Sequence, residues 1–266
     1  MNNRLTQKLK EAGKRKEKLF CAYLTLGFPR LAVTEALVPA LERAGVDILE
    51  LGFPFSDPLA DGPTIQFASA EAIKRGVKLK DAFSLIRKLR REGLRIPVLF
   101  FSYLNPIMHY GISRALRQLR QSGFDGLIVP DLPPEEGRMW EPWFKRFDLS
   151  LVYLVAPTSG EDRIREIVKH SSGFIYYVSL RGVTGARNSV PKDLFRKLKI
   201  LKKITPKPVL VGFGVSNEAQ ARNIARAADG VIVGSAIVER LRNGRKAVGS
   251  VVSFVSRLVR AMKTSP

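Results

Sequence analysis

The sequence predicts a (β/α)8 barrel, a TIM barrel with short extra helices, in a single domain over residues 1–266. Three observations carry that reading. Short apolar runs bounded by glycine and proline alternate with longer runs of helical period, eight times along the chain. Most of the short runs are apolar throughout, as parallel strands covered on both faces are. The units recur about every 25–30 residues, and strands alternating with helices imply a parallel sheet. An open doubly wound sheet is the alternative. It calls for a Gly-rich fingerprint after the first strand, and Gly27-Phe28-Pro29-Arg30 is not one.

The elements follow in order. Leu19 to Leu26 is a strand ended by Gly27 and Pro29, and Leu31 to Ala44 a helix with Val33, Leu37, Val38 and Leu41 on one side. Asp47 to Phe53 is the second strand. A loop through Pro63 leads to helical stretches at Thr64 to Arg75 and Leu79 to Arg91. Pro97 to Tyr103 is the third strand, and Pro106 to Gln121 is helical, closed by Gly123. Gly126 to Leu132 is the fourth. Pro133-Pro134-Glu135-Glu136 opens the next helix with residues suited to a first turn. Ser150 to Ala156, Phe174 to Leu180, Pro208 to Phe213 and Gly230 to Val233 are strands five to eight. Their helices are Glu161 to Lys169, Pro191 to Ile204, Asn217 to Ala227 and Ala236 to Leu241, with a last one at Ala247 to Met262.

Composition bounds the function. No apolar run reaches the length of a membrane span. Met1 to Lys18 is polar and lysine-rich, with no apolar core of a secretory signal. Cys21 is the only cysteine, which excludes a disulfide within the chain and suits the cytoplasm. His109 and His170 are the only histidines, and no Cys/His cluster offers a metal site. The formal charge is +21. Such a charge attracts nucleic acid or anionic surfaces. Here the lysines and arginines spread over the outer faces of amphipathic helices, as in Ile86-Arg87-Lys88-Leu89-Arg90-Arg91, which reads as a diffuse basic surface with no dedicated nucleic-acid site.

In such a barrel the chemistry lies at the C-terminal ends of the strands. The second strand carries Glu50, and its loop Asp57 and Asp61. The third offers Ser102, Tyr103 and Asn105, the fourth Asp131, and the sixth Tyr176 and Tyr177 followed by Thr184-Gly185. Gly212, Gly214 and Gly234-Ser235 stand at the ends of strands seven and eight. Glycine lets backbone N–H groups close on an anion, and those two loops with a short helix form the usual phosphate site of the fold; tight turns also use glycine. Glu50 alternates with Leu49 and Leu51, which suit the helix side, so Glu50 points into the barrel near its top. A desolvated carboxyl there has a raised pKa, fit for acid–base work near neutrality; a structural ion pair is the alternative. Asp57 and Asp61 lie where aspartate also serves turns. Asp131 is a substrate ligand or holds a loop. Tyr23, Phe101 and Tyr176 line a pocket for a flat group or belong to the core.

The run Glu50-Leu51-Gly52 through Pro54-Phe55-Ser56-Asp57-Pro58-Leu59-Ala60-Asp61-Gly62-Pro63 resembles the signature of the tryptophan synthase alpha chain family. The resemblance continues through Gly182-Val183-Thr184-Gly185-Ala186-Arg187, Val211-Gly212-Phe213-Gly214-Val215 and Val233-Gly234-Ser235-Ala236, over essentially the full length. It implies a lyase that cleaves indole-3-glycerol phosphate to indole and D-glyceraldehyde 3-phosphate by a retro-aldol step. By position, Glu50 matches the family's acid/base at the indole C3 and the glycerol hydroxyl, and Asp61 the carboxylate that accepts the indole N–H. Tyr176 matches the tyrosine beside the catalytic glutamate, and Gly185, Gly214, Gly234 and Ser235 the phosphate cradle. Tyr23, Phe101, Ile128 and Leu154 match positions around the indole, and Arg181 to Ser189, with Thr184, a closing lid. The resemblance also implies a pyridoxal-phosphate-dependent beta chain as partner, in an α2β2 assembly that takes the indole on to L-tryptophan, with Asp57 and Pro58 in communication with it. No cofactor is expected in this chain itself. The chain departs from the pattern in its basic charge and in Phe28, where an aspartate is frequent.

Overall fold

A computed structural model describes residues 2–178, 192–242 and 247–263. Strands β1 (Leu19–Thr25), β2 (Ile48–Gly52), β3 (Val98–Phe101), β4 (Gly126–Ile128), β5 (Ser150–Val152), β6 (Leu154–Val155), β7 (Ile175–Val178), β8 (Val209–Gly212) and β9 (Gly230–Val233) make one parallel sheet. Their order is β5-β4-β3-β2-β1-β9-β8-β7-β6. β5 and β6 are halves of the one strand expected at Ser150 to Ala156, parted by Tyr153 alone. β5 pairs with β4 and β6 with β7, so the two ends of the sheet are the same strand and the barrel closes through Tyr153. The split has a local cause. The Tyr153 N–H bonds to Ser171 Oγ at 3.2 Å, outside the strand ladder. The eight expected strands are therefore present, and the closed parallel sheet replaces the open alternative.

The helices are α1 (Arg4–Arg15), α2 (Leu31–Arg43), α3 (Pro63–Lys74), α4 (Leu79–Arg91), α5 (Leu104–Tyr110), α6 (Ile112–Ser122), α7 (Pro134–Gly137), α8 (Glu141–Arg146), α9 (Glu161–His170), α10 (Lys192–Ile204), α11 (Glu218–Ala227), α12 (Ser235–Leu241) and α13 (Ala247–Lys263). The single helix expected over Pro106 to Gln121 is two, α5 and α6. Gly111 divides them at φ +89°, a left-handed backbone that glycine adopts at no steric cost. Asn217 precedes α11 and caps it, its side chain accepting the Gln220 N–H at 3.0 Å.

α1 occupies the polar, lysine-rich lead of the chain, and its Leu5, Leu9 and Ala12 recur at helical spacing and are buried. Leu5 packs by Gly173, near Ser150 and Val152. Asn3 caps the helix through Thr6 N–H and donates to the Asp125 and Asp148 carbonyls at 3.1 Å each. α1 thereby covers the barrel's N-terminal end.

That end is stitched by a recurring clasp. An N–H at or next to the start of a strand can lack a ladder partner, and burying it unpaired is costly. The carboxylate of Asp47 accepts from Phe20 N–H, that of Asp125 from Val98 and that of Asp229 from Val209, all at 2.9 Å. Each aspartate returns its own N–H to the carbonyl of the residue it caps. Arg4 and Arg90 neutralise Asp125, Lys8 and Lys263 neutralise Asp47, and Lys202 neutralises Asp229. Part of the positive charge is thus spent on holding the closed end together, leaving the other end for chemistry.

Candidate functional site

Strand register builds the site. Tyr23 lies opposite Glu50, and Gly52 lies between Thr25 and Phe101. Inward positions alternate along each strand, so Cys21, Tyr23, Glu50, Gly52, Leu99 and Phe101 share the interior, while Leu49 and Leu51 face the helices as expected. Gly52 supplies a gap. A Cβ there would stand 2.2 Å from the Tyr23 hydroxyl oxygen. Tyr23 therefore lies across β2 and meets Phe101 edge-on, with ring centroids 5.5 Å apart. Gly212 does the same for Tyr176, whose ring would meet a Cβ at 2.6 Å. Gly52→Ala is expected to expel Tyr23, costing about 1–3 kcal/mol of overpacking strain. A lower urea midpoint, together with loss of the Tyr23–Phe101 contact in NMR spectra, checks it.

Glu50 is fully buried. The Cys21 thiol donates to its Oε1 at 3.3 Å, and its Oε2 has no partner among the described residues. The structural ion pair considered for it is absent among them. Burial raises its pKa to about 8, the thiol contact opposing in part. Asp61, in the loop after β2, accepts a hydrogen bond from the Tyr103 hydroxyl at 3.1 Å, and that hydroxyl accepts the Ala60 N–H at 2.9 Å. Desolvation raises Asp61 to about 6. Burial also pushes the Tyr23 and Tyr176 phenols well above their ordinary range, and the charges of both carboxylates act on each of them. Two carboxyls and two tyrosines thus share one low-dielectric space, with the carboxyls held at different pKa values.

The remaining expected residues fall as follows. Ile128 and Leu154 follow the inward register of Phe101 and Tyr176. Gly214 and Gly234 stand just past β8 and β9, which are paired neighbours. Space beyond Gly214 is open, and Ser235 begins α12. The Ile237 and Val238 N–H groups bond back to the Gly234 carbonyl, so the donors that the start of α12 can offer are those of Ser235 and Ala236. Asp57 is exposed beside Pro58, and Leu59 next to them is 93% exposed. Thr184 and Gly185 lie outside the described residues, as does the rest of the expected lid.

Asp131 turns out to hold a loop, accepting the first N–H of α5 from Leu104 at 2.9 Å. Tyr103 and Cys21 are the residues that sequence reasoning passed over. Tyr103 stood among the polar residues after the third strand without a role, and Cys21 was weighed only for disulfides. Its signal was period-two spacing from Tyr23 on a strand beside Glu50. Among the described residues no group of three metal-ligating side chains converges. No helix among them is long and apolar enough to cross a membrane. Two basic surface clefts, one lined by Lys199, Lys202, Lys203 and Arg226 and one by arginines including Arg87 and Arg91, lie on outer helices away from Glu50 and Asp61.

Comparison with known proteins decides the family. The family model "Tryptophan synthase alpha chain" matches residues 9–265. The chain belongs to the tryptophan synthase alpha chain family. Relatives of that name include one from Geotalea daltonii, 42% identical over 96% of this chain and 97% of its own. Another, from a Picosynechococcus strain, is 46% identical over 91% of this chain and 90% of its own. The solved alpha subunit from Legionella pneumophila superposes with a TM-score of 0.92 at 32% identity, covering 100% of both chains. A structure from Mycobacterium tuberculosis tryptophan synthase gives 0.91 at 34% identity, also over 100% of both. The tryptophan synthase alpha reaction is the lyase step expected from the sequence, cleavage of indole-3-glycerol phosphate.

Proposed function

We propose that this chain cleaves indole-3-glycerol phosphate with Glu50 as the acid and base and Asp61 as the charged partner of the indole N–H. The observation that carries the assignment is the fully buried Glu50 carboxyl with one oxygen unpaired among the described residues, near an Asp61 held by the Tyr103 hydroxyl; burial raises them to about 8 and about 6. At pH 7 the first is mostly protonated and the second mostly ionised. Protonated Glu50 delivers its proton to the indole C3, which places a positive charge on the ring nitrogen. Ionised Asp61 stabilises that cation. Glu50, now a carboxylate, takes the proton of the adjacent glycerol hydroxyl. The C3–carbon bond breaks, its electrons restore the indole, and the hydroxyl carbon becomes the aldehyde of glyceraldehyde 3-phosphate. Glu50 ends protonated, so one residue serves both transfers and no outside reagent is needed.

Tyr23, Phe101, Ile128 and Leu154 supply an apolar slot for the indole. The Gly214 and Gly234-Ser235 corner holds the phosphate through backbone donors, and Gly185, outside the described residues, joins it by family resemblance alone. The beta chain docks at the mouth through the loop of Asp57, Pro58 and Leu59. An α2β2 assembly, pyridoxal phosphate confined to the beta chain, and a cytoplasmic location complete the reading.

The scheme predicts a bell-shaped pH profile for kcat/KM, rising near 6 as Asp61 ionises and falling near 8 as Glu50 loses its proton. Asp61→Asn is expected to lower indole release by about 10²–10³-fold, the size of one lost electrostatic contact to a developing charge. Assay of indole from indole-3-glycerol phosphate, with and without a beta chain, tests this. Near-normal turnover in Asp61→Asn contradicts the role.

A further inference from the structure

We propose that Cys21 is a positioning residue for Glu50: its thiol pins one carboxylate oxygen so that the other is presented to the substrate. The inference rests on the catalytic reading of Glu50. The geometry is specific. In the parallel pairing Cys21 is opposite Ile48 and Tyr23 opposite Glu50, so Cys21 is the diagonal inward neighbour of Glu50, one step deeper in the barrel. Its Sγ lies 3.3 Å from Oε1. The thiol is fully buried, and its pKa is pushed well above the ordinary value by burial, by Glu50 and by the Asp47 charge, so it stays protonated and acts as a donor. Oε2 meets no donor among the described residues. A buried carboxyl with one oxygen tied and the other without a protein partner among the described residues is held in one orientation, leaving the second oxygen free for a substrate proton.

The contact has a second consequence. A hydrogen bond to the charged form favours that form, so the thiol opposes the burial that raises Glu50. It keeps the carboxylate accessible for the second half of the cycle, when Glu50 must take the hydroxyl proton. Other titratable groups acting on this space are Tyr23 of β1, Tyr176 of β7 and Asp61 of the loop. The two phenols are held neutral well above the pH range concerned, and Asp61 titrates below Glu50. The alkaline limb of the activity profile therefore belongs to Glu50.

The test uses Cys21→Val, which removes the donor and adds one methyl group, and Cys21→Ser, which restores a donor. Indole release by the complex with the beta chain is measured against pH for each. In Cys21→Val the alkaline limb is expected to move up by roughly half to one pH unit, the effect of one hydrogen bond. kcat is expected to fall while KM stays, because the indole slot and phosphate corner are untouched. Cys21→Ser is expected to return both towards the unsubstituted enzyme. An unchanged limb and kcat in Cys21→Val, with the protein folded by its melting curve, overturns the inference. If valine does not pack, Cys21→Ala gives the same reading with a smaller side chain. Glu50→Gln serves as the separate arm. If it stays active, the catalytic reading of Glu50 has failed. If it is inactive while Cys21→Val is indistinguishable from the parent, only the positioning role has failed.

Discussion

Glu50→Gln is expected to abolish most activity and at the same time to make the protein more stable. Removing a general acid–base group costs about 10²–10⁴-fold in rate, and here one group serves both proton transfers, so the upper part of that range applies. Stability follows from the same burial. The folded carboxyl holds its proton up to about 8, against 4.5 without burial. The folded state thus binds a proton that the unfolded state has released, so stability falls as pH rises from about 4.5 towards 8 and the full penalty persists above it. Each pKa unit corresponds to about 1.4 kcal/mol, so a neutral glutamine is expected to gain several kcal/mol at pH 8 and almost nothing at pH 4. Urea unfolding of both proteins at the two pH values checks this. Equal stabilities at pH 8 would mean that Glu50 is not held protonated by burial. A stabilised but inactive variant is the mark of a residue retained for chemistry at the expense of the fold.

Asp125→Ala is expected to be among the most destabilising single changes in the barrel, by about 3–5 kcal/mol. The side chain is wholly buried and bonds Arg90 at 2.8 Å and Arg4 at 3.2 Å, besides capping the Val98 N–H. Its loss leaves the nearly buried Arg90 guanidinium, which also holds the carbonyls of Leu94, Ile96 and Gly123, without a counter-charge. Arg90 already sits in surroundings that lower its pKa to about 10, chiefly by desolvation. Asp125→Asn keeps an acceptor for Val98 while removing the charge, so a smaller loss is expected. Equal loss in both variants would assign the effect to charge alone, and equal mild loss would show that the clasp is dispensable. Thermal or urea melts of the two variants decide between these. The candidate site of Glu50 and Asp61 lies at the opposite end of the barrel, so folded Asp125→Asn is expected to keep its turnover.

Much of the fold was legible because its signals are local and periodic. Buried parallel strands read as apolar runs, and Gly27, Gly123 and Gly234 ended their elements where the turns required them. Placement of Glu50 needed only alternation against Leu49 and Leu51. What was missed depends on contacts between distant segments. The clasps of Asp47, Asp125 and Asp229 join residues 20 to 27 positions apart. In sequence each aspartate looks like a polar residue at a strand's start. Tyr153 splits the fifth strand because Ser171 captures its N–H, a loop contact that apolar patterning does not report. Gly111 was hidden inside a helical run whose period survives the break. α1 carried a readable Leu5, Leu9 and Ala12 spacing, masked by the lysines between them. For the site, Asp61 reads equally as turn residue or catalyst in sequence, and its contact with the Tyr103 hydroxyl joins residues 42 positions apart. Cys21 was invisible as a partner because the pairing of β1 with β2 is what brings its thiol to Glu50.

The titration of the Glu50 carboxyl tests the central claim most directly. Carboxyl ¹³C shifts of glutamate-labelled protein, followed from pH 4 to 10 and assigned by the signal missing from Glu50→Gln, read its protonation without assuming a mechanism. A single glutamate titrating near 8 is the predicted result. A Glu50 resonance already ionised at pH 6 would contradict it, since such a group has no proton to give the indole ring at neutral pH.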